Sequence, residues 1–157
     1  MSTVRIFGIG SPFGHDQLGW KAIDLLLVEE QIQFYLQQGL TIEKLDRPGI
    51  KLLSAMSGGQ YIFLIDAVKS DAPFGTIHHL QDQKIERINN FLSGHEIGLG
   101  ETLHLGRSLQ LLPAHIIFYG IEIDNIFPFQ TFSNELLNNL NQLINRLLNE
   151  LKYIPFL

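Results

Sequence analysis

Three stretches of this sequence carry side chains that could do chemistry. "GIGSPFGHDQLGW", residues 8–20, sets His15 and Asp16 after a glycine-rich loop. "LIDAV" closes an apolar run on Asp66, and "SGHEIGLGETL", residues 93–103, presents His95. Two carboxylates and an imidazole form a sensible oxygen and nitrogen donor set for a divalent metal, with positions left open for water or for ligands from a partner. The chain has no Cys. That excludes a thiolate metal site, a cysteine nucleophile and a disulfide framework. No Ser-x-Gly elbow accompanies the histidines. His78 and His79 fall on a predicted edge strand, His104 within a helix and His115 at the start of a strand, so none of these stands out.

Each candidate also has an ordinary structural role. An Asp just before an apolar-periodic helix caps it. A carboxylate at the end of a buried strand can accept hydrogen bonds from the turn that follows, here "KSDAPFG". Ser93 and Glu96 fit a capping box, which would put His95 in the first turn of a helix or a helix-like loop. The glycines themselves suggest a phosphate cradle, but the pattern is Gly8-x-Gly10-x-x-x-Gly14, one residue too long for a dinucleotide fingerprint. Pro12 removes a backbone donor from that loop, and Asp16 would bring negative charge toward a negative ligand. No Gly-Lys-Ser/Thr follows, so a P-loop is excluded. A loop that presents an acid at the mouth of a sheet fits these residues better.

The elements that must position these groups read as alternating strands and helices. Val4 to Ile9 is a short buried strand. The apolar spacing of Leu18, Ala22, Leu25, Leu26 and Ile32 predicts one helix from about Leu18 to Leu36, stopped by Gly39. Thr41 to Leu45 reads as a second strand, Ile50 to Met56 as a short helix, and Tyr61 to Val68 as a wholly buried third strand. Thr76 to Leu80 follows too short a loop for a crossover and is expected as an antiparallel edge strand. A helix from Leu99 to Leu112, a buried strand from His115 to Ile123, and a leucine-striped helix from Leu136 to Leu151 capped by Ser133 complete the chain. The order predicts an α/β fold, a three-layer α/β/α sandwich with a mostly parallel sheet of about five strands and one antiparallel edge strand. Strands one and three should be neighbours, with the topological switch point at their carboxyl ends, where Asp16 and Asp66 both map.

At 157 residues, 45% hydrophobic and 17% charged, the chain is expected to form one domain over residues 1–157. Its formal charge of −5 and the lack of a basic stripe argue against nucleic acid as a partner. No apolar run approaches the ~20 residues that span a bilayer, and no signal peptide opens the chain, so the expected setting is cytoplasmic, away from the membrane.

Taken together, "GIGSPFGHDQLG", "LIDAV" followed by "APFGTI", and "SGHEIGLGETL" leading into "LPAHIIFYGIE" resemble the hydrogenase maturation endopeptidases of the HybD and HycI type, in order and from about residue 4 to 150. That family has a Gly-x-Gly-Asn loop with two acids, an apolar strand ending in Asp-Ala, and a Ser-x-His segment. The resemblance implies an α/β/α fold and an acid-acid-His site that engages nickel. Its two acids fall on Asp16 and Asp66 and its histidine on His95. Ser11 stands where Asn is usual, His15 where the first of two acids is usual, and Gln17 where Gly is usual. The implied activity is removal of a C-terminal extension from the precursor of a NiFe hydrogenase large subunit after nickel insertion. Asp16, Asp66 and His95 would contact nickel carried by that precursor, with no permanently bound cofactor. A non-catalytic, nickel-binding assembly chaperone on the same fold is the alternative.

Overall fold

The computed structural model describes residues 3–12, 17–88, 97–124 and 132–156. Its elements run β1 (Val4–Gly10), α1 (Leu18–Leu27), α2 (Glu30–Gln37), β2 (Thr41–Asp46), α3 (Lys51–Met56), β3 (Tyr61–Val68), β4 (Ile77–Gln81), a 3-10 helix (Asp82–Arg87), α4 (Leu99–Ser108), β5 (His115–Glu122) and α5 (Asn134–Leu151). The five strands form one sheet in the order β2-β1-β3-β5-β4. All pairs are parallel except β4 with β5. The α/β class, the five-stranded sheet and its antiparallel edge are therefore as the sequence predicts. Strand order reverses between β1 and β3, which places the switch point at their carboxyl ends.

Alternate residues of each central strand face opposite layers. Phe63, Ile65 and Ala67 of β3 join Ile117, Tyr119 and Ile121 of β5 beneath α1, α2 and α5. Ile62, Leu64 and Val68 join Ile116 and Phe118 beneath α3, the 3-10 helix and α4. Because both faces are covered, β1, β3 and β5 are largely apolar rather than alternating. Asp66 and Glu122 are the buried charged residues of these strands, and both lie on the α3 and α4 face.

Two glycines set the distance between α1 and the sheet. A Cβ on Gly8 would stand 2.3 Å from the carbonyl oxygen of Gly19, and one on Gly19 would stand 2.0 Å from that of Ile9. Backbone here meets backbone, and no side chain fits between. Gly8 therefore serves the packing of helix on strand, with no phosphate needed to explain it.

The helix expected from Leu18 to Leu36 is two helices. The face made by Leu18, Ala22 and Leu26 is buried, and continued in phase it would carry Glu29, Glu30 and Gln33 into the core at the i+3, i+4 and i+7 positions. Glu29 instead takes an extended conformation, and α2 restarts at a new angle that buries Ile32 and Tyr35. The helix expected to reach Leu112 ends at Ser108, where Gln110 turns left-handed with φ 58°. Pro113 disfavours helix at the residue before it. Ser133 caps α5, its hydroxyl accepting from the Leu136 N–H at 3.1 Å.

Candidate functional site

Asp66 is the one charged side chain of β3, set within its otherwise buried apolar run. It is 5% exposed, and its Oδ1 accepts the Ala67 N–H at 2.8 Å. Its register partner on β5 is Gly120, whose own partner on β4 is His78. Asp66, Gly120 and His78 therefore form one row across three strands on one face of the sheet. Gly120 has no side chain to fill the middle of that row, and a Cβ there would strike Val68 and Phe118.

One register step further along lies Glu122, opposite Val68. It is 1% exposed and saturated with donors. Its Oε2 accepts the Ser70 N–H at 2.5 Å, and its Oε1 accepts the Ser70 hydroxyl at 2.6 Å and stands 3.0 Å from His78 Nε2. Its backbone is tied to the same loop, since Gly75 N–H donates to its carbonyl and its own N–H donates to the Thr76 carbonyl. The role of turn holder, which the sequence offers Asp66, is performed by Glu122. No motif points to Glu122, though a signal is present: it is the single charged residue in the buried run "HIIFYGIEI", in phase with Gly120. His78 does not stand out by its position on an edge strand, yet it faces the same layer as Asp66.

Of the three residues singled out from the sequence, only Asp66 lies within the described residues. Asp16 and His95 lie outside them, as do His15, Ser93 and Glu96. Among the described residues no three His, Asp or Glu side chains group closely enough to hold a metal ion. The capping expectations can be followed at the helix starts. The residue before α1 is Gln17 and the residue before α4 is Gly98, neither with a side-chain cap. Gln17 instead donates from Nε2 to the Pro12 carbonyl at 3.2 Å. Ser11, beside it, is 1% exposed.

The other histidines have structural surroundings of their own. His79 Nε2 stands 3.0 Å from Glu150 of α5, which also accepts the Tyr119 hydroxyl at 2.5 Å. Burial, with that contact to Glu150 added, pushes the Tyr119 phenol well above its ordinary pKa, against a smaller opposing pull from Arg146. His115 stacks on Tyr61 with ring centroids 4.5 Å apart. His104 is exposed on α4.

The family described as HycI, hydrogenase maturation protease, matches residues 47–150, two-thirds of the chain. The chain belongs to the hydrogenase maturation protease family. Within this protease family member, the matched span takes in Asp66, His95 and Glu122, and leaves out the first 46 residues with the glycine loop and Asp16. The departures at Ser11, His15 and Gln17 thus all fall in the part without a family match.

Solved structures agree on the fold. The hydrogenase maturating endopeptidase HybD from E. coli is 18% identical, with a TM-score of 0.78 over 98% of this chain and 93% of that one. A hydrogenase 2 maturation peptidase from Thaumarchaeota archaeon SCGC_AB-539-E09 is 20% identical, with a TM-score of 0.66 over 96% and 98%. A NiFe hydrogenase maturation protease HybD from Thermococcus kodakarensis is 21% identical, with a TM-score of 0.65 over 96% and 99%. At such identities the likeness is one of fold. No curated protein sequence matches the chain. Among the described residues no helix is long and apolar enough to cross a membrane.

Proposed function

We propose that this hydrogenase maturation protease is an endopeptidase that removes the C-terminal extension of a NiFe hydrogenase large-subunit precursor in the cytoplasm, once nickel has been inserted. The observation that carries this reading is the placement of Asp66. A buried carboxylate lies two residues before the end of β3, beside the switch point between β1 and β3, where open α/β sheets bind their ligands.

Nickel belongs to the substrate in this reading. Asp66, with Asp16 and His95, offers oxygen and nitrogen donors to an ion already held by the precursor. The chain has no Cys of its own, so it cannot compete for that ion with thiolate ligands. A nearly buried carboxylate among apolar strands favours an ion that arrives with its own ligands over one captured from water. Recognition of the inserted metal then becomes the condition for cutting.

The test is incubation of the protein with a nickel-loaded precursor and with the same precursor lacking nickel, scoring loss of the tail by mass. Asp16→Asn, Asp66→Asn and His95→Ala proteins are run alongside. Cleavage of the loaded precursor by the wild type alone is the expected result. Tight binding of the loaded precursor with no cleavage would overturn the protease assignment in favour of an assembly chaperone. That second reading is favoured by one observation: the family match stops short of the loop that carries Asp16.

A further inference from the structure

Glu122 and His78 form a carboxylate and imidazole pair outside the set of Asp16, Asp66 and His95. Glu122 is 1% exposed, and an ionised carboxylate can only accept hydrogen bonds. Its Oε1 stands 3.0 Å from His78 Nε2. The ring proton therefore sits on Nε2, and Nδ1 carries the lone pair. That nitrogen has no hydrogen-bond partner among the described residues. Ser70 holds the same carboxylate through its N–H and its hydroxyl, so the group that orients the imidazole is itself fixed.

The ring borders a cavity of about 380 Å³, walled also by Val68 at the end of β3, by Ser70 and Asp71 of the next loop, and by Arg87 and Ile88 at the end of the 3-10 helix. At ~30 Å³ per water it holds roughly a dozen waters' worth of space, enough for a stretch of peptide. The His78 side chain is 21% exposed and that of Glu122 2%. The imidazole thus meets the cavity while the carboxylate stays behind it. His78 also shares its row with Asp66, and only Gly120 stands between them. Neighbouring strands lie ~4.8 Å apart, so the two residues are separated by about 10 Å of sheet. A chain crossing the carboxyl end of β5 can offer nickel to Asp66 and a peptide bond to His78 together.

Groups that engage nickel are not free to carry protons. Cutting a peptide bond still requires a proton to leave the attacking water and one to reach the departing nitrogen. We propose that His78 is the catalytic residue that carries this proton, with Glu122 as its positioning residue. Nδ1 takes a proton from a water as the water's oxygen adds to the scissile carbonyl carbon. The imidazolium, facing the Glu122 carboxylate, then gives that proton to the nitrogen as the C–N bond breaks. The carbon gains the hydroxyl, the departing amine gains the proton, and His78 ends as it began. No further reactant is needed. The step rests on the reading of the chain as a processing endopeptidase; the tautomer of His78 does not.

Two measurements keep these apart. Nitrogen-15 NMR of the free protein, labelled in its histidines, should show His78 protonated on Nε2 and bare on Nδ1, with the two tautomers mixed in Glu122→Gln. With the nickel-loaded precursor, His78→Gln should lower kcat by on the order of 10²–10⁴-fold, the usual contribution of a positioned acid or base, with KM little changed. That variant keeps an N–H donor for Glu122 but has no basic nitrogen, and an unaltered urea midpoint would show that its fold is kept. Glu122→Gln should also lower kcat, and the double variant should lose no more than His78→Gln alone, because the two residues act as a unit. A proton on Nδ1 in the wild type would overturn the proposal. A kcat for His78→Gln equal to that of the wild type would overturn it and leave the protease reading intact. Binding of the precursor with no cleavage by the wild type would overturn both, with the Nε2 tautomer still present.

Discussion

Asp66 and Glu122 are both nearly buried carboxylates on one face of the sheet, but their hydrogen bonds assign them different work. Glu122 receives three donors and holds the loop of residues 70–76 and the ring of His78. Glu122→Ala removes the acceptor shared by the exposed Ser70 and the half-buried His78. Losing hydrogen bonds to a charged group costs about 1.5–3 kcal/mol, to be read from the urea midpoint, with proteolysis within the loop as a second indicator. Asp66→Asn keeps an oxygen for the Ala67 N–H but removes the charge. The folded protein should therefore survive that change while cleavage of the nickel-loaded precursor falls by on the order of 10²-fold or more. Tyr119 makes a prediction about pH. Its folded pKa is raised, first by burial and then by Glu150, so the unfolded phenol ionises first, near pH 10. The stabilisation is complete below that pH and declines as pH rises above it. Denaturation of the wild type between pH 8 and 11 should show this fall, and Tyr119→Phe should flatten it at a cost of about 1 kcal/mol at pH 8 for the lost hydrogen bond.

At the scale of elements, the contact of α1 with β1 and the capping of α5 are the sharpest features. A methyl group on Gly19 would meet the Ile9 carbonyl and would also stand 2.6 Å from the carbonyl oxygen of Ile65. Backbone cannot yield as a side chain does, so Gly19→Ala should destabilise by about 1–3 kcal/mol or more, the range of overpacked cores. A urea midpoint equal to that of the wild type would show that α1 can lift from the sheet freely. Much of this layer is legible in the sequence. β3 can be read residue for residue from "YIFLIDAV", because a buried parallel strand is an uninterrupted apolar run between turn signals. The Ser133 cap is legible because its hydroxyl acts on a neighbour three residues away. The break between α1 and α2 is not, since Leu25 and Ile32 also suit one continuous helix. Only the position of the sheet decides that Leu18, Ala22 and Leu26 are the buried face.

For the whole molecule, α5 closes one layer of the sandwich. Leu136, Leu140, Leu143, Ile144, Leu147, Leu148 and Leu151 are buried along it, and Leu143→Ala should cost about 2–5 kcal/mol. Against a total stability of about 5–15 kcal/mol for a domain, that loss would be visible as a large drop in Tm. The sequence by itself determined the class of the fold, the neighbouring of β1 and β3, and the choice of Asp66 as a site candidate. These follow from local periodicity and from the handedness of crossovers, which every residue along the chain reports. The tertiary structure alone decided that His78 stands in the row of Asp66 and that Glu122 binds the turn. Those relations depend on strand register and on which face a side chain takes. Residues distant in sequence are brought together only when β4 pairs antiparallel with β5 and the sheet is complete.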